Sequence, residues 1–206
     1  MMKAFFRFLL NLAIVLVLAV SGYSYLQTHP QLIQQLFPAT KVPVQKQVQK
    51  RAGNVRWPQN TATVAINLSN PRLRQAAYNG IAAWNQTGAF KFQIINNEKK
   101  ANITIGAASN PDTDKAGETA TQDDPLNKRL LHARVTLNSY YLLSDFYNYD
   151  EQRLANTVEH ELGHAMGLMH TNQVSVMYPK GSLYTIQPRD VQAVKALYNS
   201  SEKSRQ

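Results

Sequence analysis

The stretch His160-Glu161-Leu162-Gly163-His164-Ala165-Met166-Gly167-Leu168-Met169-His170 holds three of the chain's five histidines. On an α-helix, residues four apart lie one above the other, so His160 and His164 can present two imidazole nitrogens to a single ion. Glu161, about 100° further round the helix, can reach a water beside that ion without being a ligand itself. Gly167 tolerates the positive φ that reverses a chain at a helix end, and the reversal lets His170 return as a third ligand. Three protein ligands leave one position open, which is the arrangement of a catalytic rather than a structural zinc. The chemistry expected is hydrolysis: zinc polarises a carbonyl and lowers the pKa of water toward ~7. Glu161 then takes the proton and passes it to the leaving amine. HExxH alone arises by chance in many helices; the glycine and the third histidine at this spacing make the pattern far more specific.

Composition leaves this chemistry few competitors. The chain has 206 residues and no cysteine, so thiolate zinc fingers, iron–sulfur clusters, disulfide scaffolds and cysteine nucleophiles are excluded. No GxSxG elbow supports a serine hydrolase. A net charge of +9 predicts attraction to anionic surfaces, and no nucleic-acid motif accompanies it, so no nucleic-acid partner is expected.

The elements that must position the histidines read as an α+β domain over residues 55–199. Thr63 to Leu68 alternates like a half-buried strand. Ser69-Asn70-Pro71 supplies a helix cap and a first-turn proline, followed by Leu73, Ala77, Ile81 and Trp84 at helical spacing. Phe90 to Ile95, Ile103 to Ala107 and Ala133 to Leu137 read as strands, and residues 110–127 as a loop around a short Gly117–Thr121 segment. A helix is expected from about Glu151 to Met166, and a last one from Pro188 with Val191, Val194 and Leu197 on one face.

These features together resemble the metzincin metallopeptidases, and within them the matrixins. The likeness is carried by HELGHAMGLMH, by Ser175-Val176-Met177-Tyr178-Pro179, and by the run from Gln187 to Tyr198. The resemblance implies a mixed twisted sheet with an active-site helix and a C-terminal helix, zinc on His160, His164 and His170, and protein or peptide substrates. It also implies that Met177 lies beneath the zinc as a hydrophobic floor, and that Gly117–Thr121 forms the rim strand along which an extended substrate binds. The segment after Met177 would wall the pocket beyond the cleaved bond. The sequence departs from the family pattern in having no cysteine with which a pro-segment could block the zinc, and no recognisable structural-zinc loop. His132 reads as a scaffold residue, Glu159 as a surface residue, and Tyr178 is given no catalytic role. Asp112, Asp114, Asp123 and Asp124 are the only candidates for calcium, and no EF-hand spacing supports them.

The N-terminus reads separately. Lys3 and Arg7 flank Phe5 and Phe6, and Leu9 to Val20 is apolar except for Asn11. Residues 1–26 are therefore either an export signal, cleaved near Ser21, or an uncleaved anchor through residues 5–26. Residues 27–54, rich in Gln, Lys and Pro, read as a linker or short pro-segment, and 200–206 as a tail. The expectation is a monomeric zinc endopeptidase, secreted or anchored on the outer face of the cell membrane. The competing readings are an exopeptidase and a catalytically inactive domain of the same fold that binds the cell envelope.

Overall fold

Five strands and four helices order the domain in the computed structural model, which describes residues 55–180 and 182–199. The proposed signal or anchor, the linker and the tail lie outside the described residues. Among those described, no helix is long and apolar enough to cross a membrane. Strand β1 (Thr61–Ile66) leads to helix α1 (Pro71–Gln86), followed by β2 (Lys91–Ile94), β3 (Ile103–Ala108), β4 (Gly117–Asp124) and β5 (Arg129–Asn138). One short turn of helix, α2 (Ser139–Leu142), precedes the long α3 (Glu151–Ala165), and α4 (Pro188–Asn199) closes the chain.

The sheet order is β2-β1-β3-β5-β4. The first four strands run parallel, and β4 alone runs antiparallel, paired to β5 at the edge. Parallel neighbours need crossovers, and α1 supplies one between β1 and β2. Its start is where the sequence puts it: the Asn70 side chain accepts from the backbone N–H groups of Arg72 and Leu73, and Pro71 occupies the first turn. The apolar stripe of α1, including Leu73, Ala77, Ile81 and Trp84, is buried. Trp84 is fully enclosed, and its indole N–H donates to the Glu159 carbonyl of α3 at 2.9 Å. The helix that carries the site is thereby bolted to the helix that covers the sheet.

Three readings of the sequence change. The stretch around Gly117–Thr121 is a strand of 8 residues, Gly117–Asp124, in place of a loop with a short extended piece. Its polar composition has low strand propensity, and pairing along nearly the whole of β5 overrides that propensity. Correspondingly β5 is longer than its apolar centre, and His132 lies within it, opposite Gln122. The helix α2 also escaped the sequence reading, being a single turn with no room for a periodic signal.

Candidate metal centre

Helix α3 begins at Asp150, whose side chain accepts from the Arg153 N–H, with Glu151 in the first turn where the helix dipole favours an anion. It ends in a Schellman turn: Leu168 N–H donates to Gly163 O and Gly167 N–H to His164 O, both at 2.9 Å. Gly167 sits at φ 101°, and a Cβ there would lie 2.4 Å from the Val55 carbonyl oxygen, so only glycine serves. The turn sends the chain back over the end of its own helix. His170 returns beside His160 and His164, and the three Nε2 atoms stand 3.0–3.1 Å apart.

Two carbonyls orient the rings. His160 Nδ1 lies 2.6 Å from Val176 O, and His164 Nδ1 lies 2.9 Å from Leu168 O. A carbonyl only accepts, so each Nδ1 carries the proton and each Nε2 turns a bare lone pair toward the shared space. Burial holds all three imidazoles below their ordinary pKa, and for His164, where His160 adds to the effect, down to about 4. The Nε2 of His170 stands beside these two lone pairs, and a cation placed among the three nitrogens would be bound by all of them. Zinc bound tetrahedrally at ~2.0–2.1 Å sets its nitrogens roughly 3.3–3.4 Å apart, a few tenths of an ångström beyond the spacing here. The donor set therefore fits zinc. Among the described residues these three form the cluster able to hold a metal. His132 and the four aspartates are not part of it; Asp124 instead accepts from the Leu126 N–H and the Asn127 amide in a turn.

The Met177 turn is tight, closed by Tyr178 N–H donating to Ser175 O at 3.1 Å, and Met177 is buried directly under α3. A Cβ on Gly163 would come within 2.3 Å of the Met177 sulfur. This contact, invisible in the sequence, explains why the fourth residue of HELGH has no side chain. We expect Gly163→Ala to force Met177 away, at ~1–3 kcal/mol of overpacking. A thermal midpoint equal to that of the parent would refute this.

The turn is held in place by Asp190, which lies in the Gln187–Tyr198 run but to which the sequence reading gave no role. Its carboxylate, 3% exposed, accepts from Ser175 Oγ at 2.5 Å, from Val176 N–H at 3.0 Å and from Gln187 N–H at 2.8 Å. Val176 in turn supplies the carbonyl facing His160. Asp190→Ala would orphan several buried donors, each costing ~1–3 kcal/mol. The expected result is a midpoint lower by roughly 10 °C and zinc affinity weaker by ~10–100-fold, as for loss of an orienting partner. Melting curves with and without chelator measure both.

Glu159 corrects the sequence reading. Far from being on the surface, it is 3% exposed, and its carboxylate accepts from Thr185 Oγ1 at 2.7 Å and Ile186 N–H at 3.1 Å. Burial raises its pKa, and those two donors work against the rise. The helical period correctly turns it away from the histidines, but that side of α3 faces protein, because α3 is enclosed on nearly every side from Leu154 to Ala165. Asn156 and Thr157 extend the same seam, bonding to the Ser182 carbonyl and hydroxyl. The segment after Met177 is thus tied along the back of the active-site helix.

Glu161 lies on the other flank, 5% exposed, against β4. Thr119 Oγ1 lies 2.7 Å from its Oε2. Burial pushes its carboxyl up to about 7, with the Thr119 bond opposing; a cation at the histidines would pull it back down. Glu161 and the histidines border a cleft of about 850 Å³ whose walls include Gly117, Thr119 and Thr121 of β4 on one side and Tyr178, Pro179 and Lys180 on the other.

The family model for matrixins matches residues 52–199. Among solved structures the chain is similar to myroilysin, with a TM-score of 0.48 and 12% sequence identity, covering 71% of this chain and 97% of that one. A comparison with curated proteins finds no match. With a mixed sheet, an enclosed helix and three converging imidazoles beside a glutamate, and a family match across nearly all of the described domain, the chain belongs to the matrixins, a family of zinc metallopeptidases.

Proposed function

We propose that this protein is an exported zinc endopeptidase, with His160, His164 and His170 as the metal ligands and Glu161 as the general base. The observation that carries the reading is the convergence of the Nε2 atoms of His160, His164 and His170, 3.0–3.1 Å apart, at a cleft that Glu161 also lines. A bound zinc supplies Lewis acidity toward the scissile carbonyl and toward the attacking water. The rest falls to the chain. Glu161, held close to the histidines by one residue of helix, accepts the proton of the attacking water and returns it to the leaving nitrogen. Its buried, weakly solvated carboxyl suits a group that must both take and give a proton. Among the described residues strand β4 pairs with β5 alone, and its outer edge can take an extended peptide by strand addition. A substrate lying along a strand edge can continue past the cut in both directions, which favours internal cleavage over trimming of a terminus.

Export rests on the sequence of residues 1–26. Residues 55–199 contain 14 Lys and Arg against 12 Asp and Glu, so most of the net charge of +9 belongs to the segments flanking the domain. A basic linker between an anchor and a nearly neutral domain suits an anionic envelope surface. The mass of the protein recovered outside the cytoplasm separates cleavage near Ser21 from retention of the anchor. Function is tested by metal analysis of the full chain followed by digestion of an unbiased peptide library, with Glu161→Gln as control. Cuts within peptides that vanish in the control support the reading. A zinc-loaded chain that cuts nothing would make it an inactive binding domain, and cuts only at peptide ends would make it an exopeptidase.

A further inference from the structure

We infer that Thr119 is a positioning residue for proton transfer: its hydroxyl fixes one oxygen of Glu161 so that the other faces the reacting water. The inference rests on the reading of Glu161 as the base. Thr119 Oγ1 lies 2.7 Å from Glu161 Oε2 and 2.9 Å from the same residue's main-chain oxygen. The hydroxyl has a single hydrogen, and an ionised carboxylate is the stronger acceptor, so the hydrogen goes to Oε2. Among the described residues no second donor reaches this carboxylate. Nor is any buried side-chain polar atom left without a partner among them, so the unbonded Oε1 keeps access to the cleft that Glu161 lines.

The other half of the arrangement is Gly117. Successive strand residues alternate in facing, so 117 and 119 lie on one face of β4. A Cβ on Gly117 would stand 2.7 Å from Glu161 Oε1, 2.9 Å from its Cγ and 3.1 Å from its Cδ. One position of the strand thus holds Oε2, and the position two before it leaves the space in which Oε1 sits. The carboxylate plane is set by β4 and not by the helix that bears it. The same strand offers the free edge for substrate, so binding and proton transfer share one rigid element. Active-site groups held loosely lose rate steeply, since a displacement of about 1 Å can cost ~10²-fold.

The test uses the full zinc-loaded chain. Thr119→Val keeps the shape and removes the donor: kcat should fall ~10–100-fold with KM changed by less than about twofold, and with one zinc per chain in a chain that stays folded at the assay temperature. Thr119→Ser keeps the hydroxyl and should recover most of the rate. In a Glu161→Gln background, Thr119→Val should cost little more, because residues acting as one unit are not additive. Gly117→Ala, which crowds Oε1, should also lower kcat at full zinc content. A Thr119→Val enzyme with kcat within about twofold of the parent would overturn the inference, as would a Thr119→Ser enzyme as slow as Thr119→Val. A full additional loss in the Glu161→Gln background would also overturn it, since Thr119 would then act independently of the base. Activity retained by Glu161→Gln alone would instead strike down the reading of Glu161 as base, so the two failures are separable.

Discussion

Glu161→Gln is expected to retain zinc and fold while losing ~10²–10⁴-fold in kcat, the range that a positioned general base contributes. The amide fills nearly the same volume, and its oxygen can still accept from Thr119, so the 2.7 Å contact to β4 has a substitute. What the amide cannot do is take a proton from water at neutral pH. Substrate along the edge of β4 does not depend on that proton, so KM should change little. A loss confined to kcat marks an interaction made in the transition state alone. Removing the buried carboxyl also removes a desolvation cost, the cause of its raised pKa, so the variant should melt no lower than the parent. Activity above a tenth of the parent's, measured at saturating peptide, would show that another group is the base.

His164→Ala should abolish stoichiometric zinc. The Nε2 of His164 is 3.1 Å from that of His160 and 3.0 Å from that of His170. Truncation leaves two imidazoles and also deprives Leu168 O of its partner at 2.9 Å, loosening the turn that returns His170. Losing an orienting partner alone weakens metal binding ~10–100-fold, and losing a ligand should exceed that. Ligand binding to the folded state raises stability by RT ln(1 + [L]/Kd), so the parent should melt several degrees lower in chelator. The variant should show no such shift. His132→Ala, in β5 and outside the cluster, is the matching control and should bind zinc as the parent does. Full zinc content in His164→Ala would remove it from the ligand set.

Much of the centre was legible because its chemistry is local. Residues 160, 164 and 167 lie in a single helix and its cap, and the helical period together with the glycine φ brings the imidazoles together without reference to the rest of the chain. The start of α1 at Asn70-Pro71 and the apolar stripe to Trp84 were readable for the same reason, since a cap and a 3.6-residue period act over a few residues. The groups that stabilise and orient the site come from far along the chain. Asp190 reaches back to Ser175 and Val176, Thr119 meets Glu161, and Glu159 bonds to Thr185 and Ile186. Threonine, aspartate and glutamate are common enough that no spacing marks these contacts. Only the packing of β4 and the Met177 turn against α3 makes them neighbours. The same cause moved Glu159 from the surface to the interior: a helical period says which residues point away from the histidines, but not whether water or protein waits there. Strand β4 was underread because an edge strand's polar residues carry little propensity, and its order comes from a ladder with β5. Sequence alone therefore determined the candidate ligands and base, because short-range geometry brings them together, and the family whose motifs they carry. Tertiary structure decided how each group is held, because a buried hydrogen bond between distant residues leaves no periodic trace in the chain.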